Sequence, residues 1–153
     1  MKKVSLLLIL SLGIILTGCT SNKSKEVKSL DDFNNVSTNN GFTVSDNMNT
    51  YQDKDYITGA SIATLGDITI EMVTYDNNES AKKTQDNHID VFKSMKGSGA
   101  VMNSDKGKNY YKYDMVSNGY YMVSERVENT LIFSKTQLEN KDKIETILNE
   151  LGY

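Results

Sequence analysis

Between residues 29 and 153, apolar side chains recur with two periods, one typical of helices and the other typical of strands. Three segments have the helical period, and they cover residues 30–40, 79–96 and 141–151. Six segments alternate in the manner of strands, and they cover residues 42–44, 56–65, 68–75, 110–116, 120–127 and 130–134. The order of helix, strands, helix, strands and helix predicts an α+β domain. We expect antiparallel sheets built from two hairpins, with the helices packed on one face.

Capping residues indicate where the first and last helices begin and end. Ser29 and Asp32 have the spacing of a capping box, with Asp32 in place of the more usual Glu, and Gly41 is a natural stop. The last helix is predicted to end at Gly152. Its buried side is expected to consist of Ile144, Ile147, Leu148 and Leu151.

The second helix is predicted to follow an Asn78 N-cap and to stop at Gly97. One stripe of this helix is expected to be buried, and it consists of Ala81, His88, Val91, Phe92 and Met95. His88 is the only histidine of the chain, and its place on this stripe favours packing over proton transfer. Residues 97–108, which begin with Gly97-Ser98-Gly99, are predicted to form a mobile loop.

Two short turns predict the hairpins. Gly66-Asp67 can adopt the positive φ angles of a two-residue turn, and Asn118-Gly119 is the strongest short hairpin signal available. The register of the second hairpin sets Lys112 opposite Glu125 and Met115 opposite Met122. The first hairpin is expected to leave one face open to water and to carry an apolar face formed by Ile57, Ala63, Leu65, Ile68, Ile70 and Met72.

The N-terminus has a different pattern. Two lysines follow Met1, and residues 4–16 are apolar except for two serines and one glycine. This run of about 13 residues is shorter than the roughly 20 that a membrane-spanning helix needs, which predicts an export signal. Small residues then precede Cys19, in the sequence Leu16-Thr17-Gly18-Cys19. These four residues resemble the lipobox of bacterial lipoproteins.

In that family, the cysteine thiol receives a diacylglyceryl group, the signal is cleaved before the cysteine, and the new amino terminus can be acylated as well. The resemblance covers residues 1–19. It implies a cleaved signal peptide over residues 1–18, lipidation of Cys19, and a position on the outer face of the cytoplasmic membrane. An ordinary secretory signal that ends in a cysteine by chance is the alternative. Cys19 is the only cysteine, so it has no disulfide partner within the chain.

The net charge and the composition indicate which classes of partner the chain can bind. Without residues 1–18, the chain keeps 15 Lys and Arg against 20 Asp and Glu, a net charge near −5. This charge argues against a nucleic-acid partner, because phosphate backbones attract basic surfaces. All basic residues except Arg126 are lysines and Asn is abundant, a bias typical of AT-rich genomes. The chain is similar in its general plan to small lipoproteins of low-GC Gram-positive bacteria.

The mature chain divides into two parts. Residues 19–28 are polar after the cysteine and are predicted to be a tether. The lysines of this segment favour an anionic membrane surface, and a merely solvated linker is the alternative. Residues 29–153 are long enough for a single compact domain with one core.

Five tyrosines crowd the second hairpin, and they are Tyr110, Tyr111, Tyr113, Tyr120 and Tyr121. Tyrosine offers a large contact area with a polar tip, so this cluster is a candidate patch for an envelope protein, peptide or glycan. The alternative is that these residues only build the sheet, because Tyr is a strong strand former. No metal or other cofactor is expected besides the lipid on Cys19, since one histidine and one cysteine cannot complete a ligand set.

The sequence therefore predicts a non-enzymatic binding module at the cell envelope. A small extracytoplasmic hydrolase or inhibitor domain is the alternative. An enzyme of this kind would need paired carboxylates or a Ser–Lys site assembled by the fold. The spacing of residues along the chain does not reveal such a site.

Overall fold

The structure, a computed structural model, describes residues 22–153. The predicted signal peptide and Cys19 lie outside the described residues. The helices are α1 (Leu30–Asn39), α2 (Asn78–Ser94) and α3 (Lys141–Leu151). The strands are β1 (Thr43–Asp46), β2 (Ile57–Leu65), β3 (Ile68–Tyr75), β4 (Val101–Lys106), β5 (Tyr110–Ser117), β6 (Tyr120–Val127) and β7 (Thr130–Gln137). Short 3-10 turns cover Met48–Tyr51 and Leu138–Asn140.

All seven strands of the described residues form one antiparallel sheet in the order β1-β2-β3-β7-β6-β5-β4. The α+β class is therefore confirmed. The two predicted hairpins lie in opposite halves of the strand order, and the pairing of β7 with β3 joins them. At this central pairing, Met72 lies opposite Ile132 and Val73 lies opposite Leu131.

Helices α1 and α3 cover one face of the sheet and enclose the larger apolar cluster. Phe33 of α1 and Ile147 of α3 are fully buried there. They pack with side chains of alternate strand positions, which include Ile70, Met72, Val123 and Ile132. Burying these side chains provides the main favourable free energy of this layer, at roughly 25 cal/mol for each Å² of apolar surface.

Helix α2 covers the opposite face, so the prediction that the helices pack on one face is wrong. Ala81 packs near Val73 and Leu131, and farther along the helix Phe92 packs near Met115. The reason lies in the central strands, where consecutive residues such as Leu131 and Ile132 are both apolar. Consecutive side chains of a strand point to opposite faces, so both faces need cover.

The buried side of α2 also differs from the predicted stripe. Its N-cap is Asn77 rather than Asn78, because the Asn77 side chain accepts a hydrogen bond from the Ser80 amide at 2.9 Å. Val91 is 49% exposed and Met95 is 37% exposed, which contradicts their predicted burial. The buried residues of this helix are Ala81, Gln85, Ile89 and Phe92. The buried stripe includes the polar Gln85, whose burial the pattern of apolar residues does not predict.

The prediction of a loop over residues 97–108 is wrong for β4. This strand lies at the edge of the sheet, where it pairs with β5 and Met102 lies opposite Met115. All of its residues are exposed, so it lacks the alternation of buried and exposed positions that predicts a strand. Backbone pairing with β5 holds it instead.

The local signals at the start of α1, at the end of α3 and at the turn of the second hairpin agree with the structure. Ser29 and Asp32 form the capping box, and Gly152 ends α3 with a φ angle of 83°. The turn at Asn118-Gly119 has positive φ angles at both residues, 52° and 79°. It sets Lys112 opposite Glu125 and Met115 opposite Met122.

One residue of the first hairpin lies on the face opposite to its predicted one. A bulge between Ile57 and Gly59 shifts the register of β2. Ile57 therefore packs near Ala81 on the α2 face, whereas Ala63 of the same strand belongs to the cluster under α1 and α3.

Two variants of α2 test which of its residues are buried. We expect Ile89→Asp to lower the free energy of unfolding by roughly 3 kcal/mol or more, because it places a carboxylate among apolar side chains. Val91→Asp is expected to change it by less than about 1 kcal/mol, because this position is exposed. Urea denaturation of both variants measures the difference. Equal destabilisation would contradict the placement of the stripe.

Candidate functional site

The structure does not bring the five tyrosines together on one surface. Tyr110 and Tyr121 lie in the core under α1 and α3, whereas Tyr113 is 7% exposed and lies under α2. Tyr111 is half-buried, and Tyr120 is 36% exposed at the other end of the hairpin. Successive residues of a strand point to opposite faces, so a dense run of tyrosines is divided between the two faces.

His88 packs against the sheet through its ring. The ring centroid lies 4.4 Å from that of Phe133, and Nδ1 lies 3.4 Å from the Ser124 hydroxyl oxygen. Burial, and to a lesser extent the charge of Lys54, lowers the pKa of His88 to about 4. The imidazole is therefore neutral at pH 7, which agrees with the expected packing role.

Glu71 is a buried carboxylate on the face that α2 also covers. It accepts hydrogen bonds from the Asn47 side chain and, at 3.0 Å, from the Tyr51 hydroxyl. Burial raises the pKa of Glu71, although these hydrogen bonds act in the opposite direction. The contacts fix the segment around residues 47–51 against β3.

Part of the predicted tether is docked on the domain. The Lys25 carbonyl oxygen accepts a hydrogen bond from the Asn109 side chain at 2.8 Å, and the Lys23 carbonyl oxygen accepts one from the Lys108 amide at 2.8 Å. Gly107 permits this close approach, because a Cβ atom there would lie 2.4 Å from the Lys23 oxygen. We call residues 23–28 the N-terminal strap.

The side chain of Lys25 anchors the N-terminal strap in the interior. Its Nζ lies 2.5 Å from Oε1 of Glu125, a carboxylate with no solvent exposure. The Lys25 ammonium also lies 4.7 Å from the centroid of the Tyr110 ring. A buried carboxylate of this kind is costly without partners, so the ion pair fixes the position of the strap.

A second lysine and a second carboxylate extend this buried network. Lys112 Nζ lies 3.6 Å from Oε2 of Glu125, an ion pair without a hydrogen bond, and 3.1 Å from Oε2 of Glu145. Glu145 also accepts a hydrogen bond from the Tyr121 hydroxyl. Burial would raise the pKa of Glu145, but the Tyr121 and Lys112 contacts outweigh it and lower the pKa. Tyr121 is thus a structural residue.

Arg126 lies beside an open cavity of about 290 Å³ on the α2 face of the sheet. Its Nε donates to Oε1 of Gln85 at 3.3 Å, and its Nη1 donates to the Glu128 carbonyl oxygen at 3.1 Å. Lys82, Gln85, Asp86, Lys106, Tyr111 and Arg126 line the cavity. We call this the Arg126 groove.

Gln85 holds Arg126 in place. Its side-chain amide donates to the carbonyl oxygens of Tyr111 at 2.7 Å and Ser124 at 3.0 Å, which turns Oε1 toward the guanidinium. Burial lowers the pKa of Arg126, but a guanidinium remains charged at neutral pH. The groove thus contains a half-buried, oriented positive charge.

A larger groove of about 480 Å³ lies between α1 and the edge of the sheet at β1 and β2. Its charged lining residues are Asp31 and Asp46. Among the contacts of the described residues, no buried side chain holds either carboxylate in the way that Gln85 holds Arg126, and Oδ1 of Asp46 instead accepts a hydrogen bond from the Met48 amide at 2.7 Å.

Sequence reasoning missed both Gln85 and Arg126 as site residues. Two signals were present. Gln85 is four residues from both Ala81 and Ile89, so it lies on the buried side of a helix despite its polar side chain. Arg126 is the only arginine of a lysine-rich chain.

Comparison with known proteins gives little guidance. No protein-family model matches the chain, and no curated protein matches its sequence. The structure has a likeness to the crystal structure of a GTP-binding regulator from Thermotoga maritima, with a TM-score of 0.47 and 18% sequence identity. The likeness covers 87% of this chain and 94% of that chain. At this TM-score, it carries no argument about fold or function.

Within residues 22–153, no helix is both long and apolar enough to span a bilayer. The same part of the chain contains no group of three or more His, Cys, Asp and Glu side chains that could hold a metal ion.

The placement of His88 predicts a pH effect on stability. The folded-state pKa of about 4 is below the ordinary value of 6.5, so the unfolded chain binds more protons between these values. The contribution of His88 to the free energy of unfolding is therefore complete above pH 6.5 and is lost as the pH falls toward 4.

NMR titration of the His88 ring tests this prediction, with an expected midpoint near pH 4. His88→Gln should reduce the pH dependence of the unfolding free energy between pH 4 and 6.5. A midpoint at or above 6.5 would show that the ring is not buried in the folded protein.

Two variants of the N-terminal strap test whether Lys25 anchors it. Lys25→Met is expected to lower the free energy of unfolding by roughly 2–3 kcal/mol. This is less than the loss expected when a buried carboxylate keeps no cationic partner, because Lys112 remains near Glu125. Lys28→Met is the control, because Lys28 pairs with the exposed Glu26. It should leave the stability nearly unchanged.

Urea denaturation gives both unfolding free energies, and amide hydrogen exchange at Lys108 reports whether the strap stays docked. Faster exchange of the Lys108 amide is expected in Lys25→Met alone. Equal stability and equal exchange in the two variants would contradict the anchoring role of Lys25.

Proposed function

We propose that this chain is a lipid-anchored, extracytoplasmic binding module without catalytic activity. The lipobox-like residues Leu16 to Cys19 support the anchor, and the docked N-terminal strap supports a position close to the membrane. The protein is proposed to act on the outer face of the cytoplasmic membrane, with an envelope protein, peptide or glycan as partner.

The observation that carries this proposal is the docking of Lys23 and Lys25 on the domain. Only three residues separate Cys19 from Lys23. Four residue steps span at most about 14 Å, so a lipid on Cys19 would hold the end of the sheet near Lys108 against the headgroups. A long free tether would instead let the domain explore the surrounding envelope.

The alternative of a small hydrolase has weaker support. Glu71 supplies a carboxyl group and His88 an imidazole on the α2 face, and the pKa of each is shifted toward the neutral form. Glu71 holds the segment at residues 47–51, and His88 packs on Phe133. Neither lines the Arg126 groove, so these residues do not combine with its charges. An inhibitor domain would act by binding its target, so it is one kind of binding module.

Mass spectrometry of the protein isolated from its membrane tests the anchor. We expect a mature chain that begins at an acylated Cys19 and contains nothing upstream. Cys19→Ala should lose the acyl mass and bind membranes less firmly, because two acyl chains provide stable attachment where one is marginal. Thr20→Ala is the control and should keep the modification.

An unmodified Cys19 in the native protein, or a Cys19→Ala protein that stays with membranes as firmly as the parent, would contradict the proposal. Recovery of the native protein in the cytosol would contradict it as well.

A further inference from the structure

The Arg126 groove has the features of an anion site. We propose that it binds the phosphate of a lipid headgroup at the membrane surface. The phosphate chemistry follows from the groove itself, whereas the headgroup as its source rests on the proposed function.

The guanidinium of Arg126 is held in one orientation. Gln85 is almost fully buried, and its two hydrogen bonds to sheet carbonyls leave its Oε1 facing Arg126. An arginine has five N–H donors, and the two bonds to Gln85 and Glu128 use two of them. The remaining donors are available beside the cavity in a side chain whose position is already fixed. Such pre-organisation lowers the entropic cost of binding.

The lining of the Arg126 groove is positively charged. Three cationic side chains line the groove, from α2, β4 and β6: Lys82, Lys106 and Arg126. Asp86 is the only carboxylate in the lining, and its Oδ2 lies 2.6 Å from Lys82 Nζ. The lining therefore has a net charge of about +2, on a mature chain whose net charge is near −5. A local positive field of this kind attracts anions.

The donors and the volume of the Arg126 groove suit a phosphate group. Donors from three elements of the fold surround the cavity, which suits a tetrahedral oxyanion better than a planar carboxylate bound to one arginine. The volume of about 290 Å³ is near the lower limit of small-molecule sites, about 300 Å³. A headgroup phosphate with its glycerol fits this size, whereas a polymer would have to lie across the opening.

The Arg126 groove lies near the N-terminal strap. Lys106 is two residues before Lys108, whose amide holds the Lys23 carbonyl oxygen of the N-terminal strap. The groove thus lies at the end of the sheet from which the chain leads to Cys19. With the lipid inserted, headgroups are the anions nearest to this end.

The phosphate chemistry is tested in a non-ionic detergent on the mature protein as it is isolated from the cell, with or without a lipid on Cys19. Inorganic phosphate and glycerol 1-phosphate are titrated while NMR follows the Arg126 and Tyr111 signals. We expect saturable shifts, and binding about tenfold weaker or more in Arg126→Gln and in Lys106→Gln, because each removes a charge-assisted contact. Lys83→Gln is the matched control on α2, outside the groove, and should bind as the parent does.

Arg126→Gln also removes the hydrogen-bond donor to the buried Oε1 of Gln85, which destabilises the fold as well as the groove. Lys106→Gln avoids this difficulty, since Lys106 is an exposed side chain on the edge strand. Arg126→Lys retains the charge and is expected to recover part of the affinity. Absence of saturable shifts with either phosphate probe, or equal affinity in Lys106→Gln and Lys83→Gln, would overturn the site.

The source of the phosphate is tested in vesicles that carry the lipidated protein. Vesicles of phosphatidylglycerol are compared with vesicles of a phosphate-free glycolipid, and a water-soluble reagent acetylates exposed lysines. Lys106 should be protected in phosphatidylglycerol alone, and Lys83 should be acetylated equally in both. Saturable phosphate binding without this protection would overturn the headgroup assignment. The detergent titration does not depend on membrane attachment, so a failure of the proposed anchor is distinguishable from a failure of the site.

Discussion

The pairing of β3 with β7 is the constraint on which the rest of the structure depends. It joins strands from the two halves of the chain into one sheet, and its two central pairs, Met72 with Ile132 and Val73 with Leu131, place apolar side chains on opposite faces. Water therefore has to be excluded from both sides of the centre, which requires a helix layer on each face. Helices α1 and α3 supply one layer and α2 supplies the other. This division also determines where polar side chains enter the interior.

Two polar clusters follow from this arrangement, one on each face. On the face covered by α1 and α3, Glu125 is buried and forms an ion pair with Lys25, which holds the N-terminal strap on the sheet. On the α2 face, Gln85 is buried and orients Arg126. Glu125 and Arg126 are consecutive residues of β6, so they point to opposite faces of the strand. The same short stretch of sequence thus contributes both to the attachment of the strap and to the groove.

Several features of the fold could be predicted because they depend on neighbours in the sequence. The Ser29 cap of α1, the end of α3 at Gly152 and the turn at Asn118-Gly119 all arise from local backbone geometry. The opposition of Lys112 and Glu125 follows directly from that turn. Other features could not be predicted. Strand β4 has no periodicity because all of its residues are exposed, and Gln85 is a polar residue in a buried stripe.

The sequence by itself therefore determined the α+β class and most of the helix ends and turns, since short-range backbone preferences and capping are encoded within a few residues. The tertiary structure alone decided which face α2 covers, how the tyrosines of the hairpin are divided, and that Lys25 docks on Glu125. It also decided the site, because Gln85, Lys106 and Arg126 come from three elements whose proximity depends on the order of strands in the sheet. Contacts between residues far apart in the chain arise from the packing of layers, and periodicity along one segment carries no information about them.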